Sequence, residues 1–384
     1  MSLEAASGVV MLLATAAALV WVNTDTAGYT SWWHHQLTLG PGDLAITESL
    51  VHWVNDALMT VFFFVVGLEI KRELVTGELR DRHRAALPAV AALGGMVVPA
   101  VLFVAINVGG KGVDGWAIPM ATDIAFAVGV LALLGPRVPS SLKLFLLALA
   151  IVDDIGAIVV IALFYSRGLD GWWLGGALVV TAFVVVMGRL RVDHPLAYVV
   201  PGIVLWWCLH EAGVEPTLAG VVLGFLTPAQ PRRGVPVLER LEDALHPVSS
   251  FVIVPIFALA NAGVVLGGDA IDHARSSRVT IGIVVGLVLG KFVGIFGASV
   301  IAVRARIGAL PEGLGFQHLA GVAVLGGIGF TVSLFVTDLA FSGDVVDDAK
   351  IGVLAASAIA ALLGTIVLRA VLRGPVPELT EETT

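Results

Sequence analysis

Charge is what this sequence has least of. Asp, Glu, Lys and Arg make up 14% of its 384 residues, against roughly 25% in a soluble domain. That scarcity excludes an ordinary water-facing surface. Cysteine is nearly absent: Cys208 stands alone, so an intrachain disulfide and a thiolate metal cluster are both excluded. Its apolar surroundings suit a small buried hydrophobe. The N-terminus lacks a basic n-region and an A-x-A-like site, so its first apolar run is expected to be a retained span.

What is abundant is apolar sequence, 58% of the chain. Twelve apolar runs follow one another, approximately at 8–23, 50–70, 86–107, 116–135, 142–165, 172–189, 196–209, 216–227, 247–267, 279–302, 318–338 and 349–371. Most are long enough for a hydrocarbon core of roughly 30 Å, and the seventh and eighth are short. Most are apolar on every side, as helices in lipid or against one another are. The fold class is an all-α polytopic membrane protein. No connecting stretch is long enough for another domain, which leaves one transmembrane domain, 1–371, and a polar tail, 372–384.

Charge placement orients the chain. With both termini cytoplasmic, the loops on that side hold sixteen Lys and Arg, among them Lys71, Arg72, Arg80, Arg137, Arg189, Arg232, Arg240, Arg304 and Arg373. The opposite loops hold five, Lys111, Arg167, Arg275, Arg278 and Lys350. This positive-inside bias fixes the expected orientation and supports an even number of spans. All nine tryptophans then fall near the outer face, as an interfacial belt on one side.

Two runs are interrupted. In GWAIPMATDIAFAVGVLALL, Pro119 disfavours helix just before it, and Thr122 or Asp123 is placed to cap a new half-helix. In GVAVLGGIGFTVSLFV, Gly326, Gly327 and Gly329 precede Thr331 and Ser333. Each is the second of a group of three runs, and paired interruptions of this kind point to an inverted-repeat transporter with its site at the breaks. The tenth run carries Gly282, Gly286, Gly290 and Gly294, a flat face that lets helix backbones approach. Lys291 lies beside that face, and packing does not explain it.

Four charges lie deep in these runs: Asp123, Asp153, Asp154 and Lys291. At roughly 2.5–3.5 kcal/mol each, they oppose insertion by about 10–14 kcal/mol before any pairing. A helix-to-helix clamp would use Lys291 and one acid and leave two acids unneutralised, so a functional site is the better account. Adjacent helix residues point about 100° apart. One of Asp153 and Asp154 can therefore face the broken fourth run while the other faces Lys291. Carboxylates, Thr122 and freed carbonyls are hard oxygen ligands for a small hard cation. Such a group titrates as a coupled set, and protons then compete with the cation for the same oxygens.

Other signals are weaker. His34 and His35 have no partner at ligand spacing, and GLVLGK (286–291) lacks the spacing and terminal Ser/Thr of a phosphate loop. Asp56 suits an interfacial acid as well as a place on an ion path. Two charged clusters, GLEIKREL with Glu69, Lys71, Arg72 and Glu73, and ERLEDALHP with Glu239, Arg240, Glu242, Asp243 and His246, flank the cytoplasmic side. As solvated helix ends they need no explanation. If they meet, they form a mixed-charge patch with a histidine, the residue type suited to pH sensing.

GLEIKREL, GWAIPMATDIAFAVGVLALLG, LALAIVDDIGAI, LHPVSSFVIVPIFALANAG, LVLGKFVG and GIGFTVSLF, in this order, resemble the NhaA-type Na+/H+ antiporters of bacteria over nearly the whole chain. The resemblance implies twelve helices, with the broken fourth and eleventh crossing at mid-membrane in inverted-topology repeats. It implies Asp154 as principal cation ligand and proton carrier, and Asp153 as its partner in proton exchange, able to pair with Lys291. Na+ would lie at Asp153 and Asp154. Asp123 and Thr122 match the residues at the fourth-span break, where Asp123 and Lys291 compensate half-helix charges. Glu69, Arg72, Glu242 and His246 match positions tied to pH activation. The outer hairpin, about 37–48, resembles the family's homodimer contact. Asp243, Glu239 and Glu215 depart from residues found in some members and shift the regulatory face towards acid.

The expected function is electrogenic exchange of internal Na+, and Li+, for external protons across a bacterial cytoplasmic membrane. It needs no cofactor and no nucleic acid, and it is not an enzymatic reaction. An intramembrane aspartyl protease also needs buried acids, but the one GxGD here, residues 40–43, lies in a polar loop. Consecutive helix positions also point too far apart to share a catalytic water. A passive cation channel is separated from an antiporter only by coupling to protons.

Overall fold

The computed structural model describes residues 3–372 apart from 41, 43, 44, 136, 167, 193 and 230–235. Asp43 of the GxGD stretch, Arg167, Arg232, Arg233, Arg373 and the tail beyond 372 lie outside the described residues. Among the described residues eight helices are long and apolar enough to cross a bilayer: Ala5–Thr24, Leu50–Val75, Arg82–Asn107, Ser140–Phe164, Gly171–Arg189, Val237–Asn261, Arg278–Arg304 and Asp344–Val371. Two further segments qualify as bent pairs, Gly112–Met120 with Ile124–Leu133 at 44° and Phe316–Leu325 with Phe330–Ala340 at 45°. That makes ten crossings among the described residues when each pair counts as one.

The expected seventh and eighth spans are instead the helices Val199–Glu211 and Leu218–Leu226, of 13 and 9 residues. At 1.5 Å per residue each falls short of roughly 30 Å by itself, and a 3-10 turn, Pro195–Tyr198, leads directly into the first and lengthens it. Gly213, at φ 71, and Pro216 separate them, and Pro228 follows the second.

Three of the long helices contain a π-helical turn, Val54–Leu58, Ser249–Ile253 and Gly286–Gly290. Pro255, which has no N–H to return, lies just beyond the second. The first half of the fourth segment is wound as a 3-10 helix, Lys111–Met120, far longer than the usual 3–4 residues.

The tenth-span glycine face packs closely on a neighbouring helix. A Cβ on Gly294 would strike the carbonyl oxygen of Gly94, and one on Gly290 would lie 2.8 Å from Pro99 Cα. Backbones of Arg278–Arg304 and Arg82–Asn107 therefore touch directly, which gives close packing where lipid-facing helices gain nothing from water. A small antiparallel hairpin, Gln36–Leu39 with Ile46–Ser49, projects beside this bundle in the register Gln36↔Ser49 to Leu39↔Ile46. All four residues of its first strand are exposed.

Candidate cation and proton site

The two interruptions meet and satisfy one another. Ala121 to Asp123 run extended between half-helices, and Asp123 caps the second by accepting the Phe126 N–H at 2.9 Å. Its other oxygen accepts from the Thr331 hydroxyl at 2.6 Å and the Thr331 N–H at 3.0 Å, across at the eleventh segment. The Asp123 N–H donates to Ile328 O at 2.7 Å, the Thr122 hydroxyl to Gly326 O at 2.9 Å, and the Ser333 hydroxyl to Ile118 O at 2.7 Å. Backbone groups freed by each break would be costly without water, and each break supplies the other's partners. One carboxylate thereby serves the positive N-terminal ends of two half-helices, Ile124–Leu133 and Phe330–Ala340.

Ser357, from Asp344–Val371, completes this arrangement by accepting the Phe330 N–H at 3.1 Å. Gly329 precedes that half-helix and has no side chain to cap it. The serine carried no signal in the sequence beyond a hydroxyl within an apolar run.

Asp153 and Asp154 lie in the most buried stretch of Ser140–Phe164. Lys291 directly follows the Gly286–Gly290 π turn, and its ammonium donates to both Asp153 oxygens, at 2.8 and 3.0 Å. Both side chains are wholly shielded from solvent. Asp154 points elsewhere, within electrostatic reach of Asp153, Glu69, Asp123 and Lys291. Its carboxylate has no hydrogen-bond or ion-pair partner among the described residues. The family resemblance places Na+ at Asp153 and Asp154, with Asp154 as the principal ligand. In this arrangement both Asp153 oxygens are already held by Lys291, so only Asp154 offers an uncommitted carboxylate.

The whole stretch 1–368 matches the family model described as Na+/H+ antiporter 1. The chain belongs to this family. It is 47% identical to the Na+/H+ antiporter NhaA of Mesorhizobium japonicum over 99% of its own length and 95% of the relative's. It is likewise 47% identical to the Na+/H+ antiporter NhaA of Pectobacterium carotovorum subsp. carotovorum, over 96% and 94%. With the Na+/H+ antiporter NhaA 3 of Frankia alni it shares 44% identity, over 95% and 86%.

Of the positions that the resemblance to this antiporter family ties to pH activation, the structure joins some. Arg72 Nη1 lies 2.6 Å from Glu242 Oε1, bridging the two charged clusters, and Arg72 Nη2 lies 3.4 Å from Glu73. Glu69 lies within reach of Glu242, Arg72, Glu73 and Asp154, and so stands between this cluster and the central acids. Asp243 is exposed on the rim and His246 half-buried. The second oxygens of Glu239 and Glu242 are buried without a hydrogen-bond partner.

A further titratable group lies at the opposite end. His210 Nδ1 is 3.9 Å from Asp56 Oδ2, and the His210 ring stacks on Trp206. Glu215, in the connection between the seventh and eighth helices, is buried and accepts from the Thr217 hydroxyl at 3.1 Å. Burial, reinforced by the charge of Asp56 and opposed by the Thr217 hydrogen bonds, pushes the Glu215 carboxyl up to about 8. Asp56 thus belongs to a local network and is not an isolated interfacial acid.

Proposed function

We propose that this chain exchanges internal Na+, and Li+, for external protons across a bacterial cytoplasmic membrane, electrogenically and driven by proton motive force. The observation that carries the reading is Asp154: a carboxylate without a bonded partner, buried where two broken helices cross and next to an acid held by a lysine. Family membership supports the same reading. A Na+ ion entering this group meets hard oxygen donors in Asp154, the Asp153 carboxylate once Lys291 withdraws, and the polar atoms at the Thr122–Asp123 break. A proton on either acid removes a donor and a charge, so cation and protons occupy the group alternately. Two acids that release protons on cation binding give two protons per Na+, which moves net charge.

Ten crossings and two short helices amount to twelve segments, and the proposed topology counts all twelve, with both termini cytoplasmic. In it the fourth and eleventh are the corresponding broken members of two inverted-topology repeats. The Glu69, Arg72, Glu242, Asp243 and His246 face would set the pH at which exchange begins. The hairpin's exposed first strand would join two copies into a homodimer.

Dissipation of a pH gradient in everted membrane vesicles tests the exchange. Na+ and Li+, added across pH 6 to 9, are expected to release protons while K+ does not. Absence of cation-linked proton movement at every pH would overturn the reading.

A further inference from the structure

A second aspartate–lysine pair lies outside the central site. Lys350 Nζ is 3.3 Å from Asp338 Oδ1, and the Asn55 amide donates to Asp338 Oδ2 at 3.1 Å. Asn55 also exchanges hydrogen bonds with Asn261, at 2.7 and 3.2 Å. The cluster thus joins four membrane segments: Leu50–Val75, Val237–Asn261, Phe330–Ala340 and Asp344–Val371.

Its place on the eleventh segment is informative. Asp338 follows Thr331 by seven residues, which returns it to nearly the same helix face, about 10.5 Å further from the break. Thr331 is the residue that bonds Asp123. Between them Phe335 meets Phe63 and Phe257, with ring centroids 5.4 and 6.4 Å away. The order along this face is therefore a polar cluster, an aromatic layer, then the central carboxylates.

The pair repeats the chemistry of Asp153 and Lys291 under wetter conditions. Its side chains are 22% and 12% exposed, against none for the central pair. Each pair also adjoins a π turn: Lys291 follows Gly286–Gly290, and Asn55 lies within Val54–Leu58. Lys350 has somewhere else to go, because the exposed Asp347, one turn back on its own helix, lies within its electrostatic reach. A half-turn of the Asn55 amide, matched by one of Asn261 that releases Phe257 O, would direct the Asn55 oxygen at Asp338 and add a second hard donor beside the carboxylate.

We propose that Asp338, with the amide oxygen of Asn55, is an outer cation station on the transport path, where a small monovalent cation takes the place of the Lys350 ammonium. The station rests on the exchange reading for its role in transport, and binding at it does not require turnover.

The test is Na+ binding to the purified full-length protein by calorimetry in an Asp154→Asn background, where the central seat is disabled. Residual Na+ binding is expected. It should strengthen by at least roughly two- to fivefold with Lys350→Gln, the scale of even an exposed ion pair, and vanish with Asp338→Asn. In vesicles, half-saturation by Na+ on the outer side should move the same way, with the inner side unchanged. If no residual binding exists, or if both variants only lower the melting temperature and leave binding unchanged, the pair is a structural clamp and the proposal falls. Loss of exchange in the parent protein with this binding intact would instead overturn the exchange reading and leave the station standing.

Discussion

The Lys291 ammonium grips both oxygens of Asp153 while Asp154, the next residue, is left without a bonded partner. Removing one member of a buried ion pair leaves an uncompensated charge, at a cost of about 3–5 kcal/mol. Lys291→Ala is therefore expected to lower the melting temperature in detergent sharply, and Lys291→Ala with Asp153→Asn to recover part of the loss. A double variant no more stable than the single one would show that the pair is not what Lys291 stabilises.

Asp154→Asn keeps the volume and the surrounding helix but removes the charge and the proton. It should abolish Na+-dependent proton release with little change in melting temperature, since the native carboxylate has no ion-pair partner to lose. Retained exchange in this variant would move the cation seat elsewhere.

Ser357 is expected to act by positioning. Loss of a helix cap costs about 1 kcal/mol, and here it frees the Phe330 N–H beside the Asp123–Thr331 contact. Ser357→Ala should raise the KM for Na+ more than it lowers kcat, and Ser357→Thr should restore it. Equal losses in both parameters, unrescued by threonine, would indicate general misfolding.

The glycine contact makes a local stability prediction. Gly294→Ala drives a methyl into the Gly94 backbone, an overpacking expected to cost roughly 1–3 kcal/mol. Gly297→Ala, on the same helix, meets nothing within 4 Å and is the control. The contrast in melting temperature between the two variants checks it.

Glu215 makes a pH prediction. Its folded carboxyl is pushed up to about 8 from an ordinary 4.5, so the folded protein keeps a proton that the unfolded chain releases. Stability from this group is full below the ordinary value and is lost as pH climbs towards about 8, with a ceiling of ~5 kcal/mol. Glu215→Gln should melt at nearly the same temperature as the parent at pH 5 and above it at pH 9. A constant difference across that range would contradict it.

Much of this site was legible because its signals were chemical and short-range. Four charges in apolar runs named Asp123, Asp153, Asp154 and Lys291, and the 100° step along a helix implied that the two adjacent acids face different partners. Pro119 and the Gly326–Gly329 cluster marked both breaks. What stayed hidden depends on tertiary proximity. Ser357 acquires its role from a half-helix 27 residues away in sequence. Lys350 counted only as an outer-loop charge and Asp338 gave no signal, until the fold sets them together with Asn55 and Asn261. The seventh and eighth runs were marked as short by length, and the fold forms short helices there, Val199–Glu211 and Leu218–Leu226.

The π turn at Gly286–Gly290 works as a vernier between two repeats that do not match. Glycines spaced by four advance about 40° past each full turn of an α-helix, so a face written as 282, 286, 290 and 294 should wind away from a straight neighbour. A wider turn takes fewer degrees per residue and holds the glycines in line with Arg82–Asn107. The same correction sets the bearing of the residue that follows it. One misfit turn thus keeps two backbones in contact and aims Lys291 at Asp153.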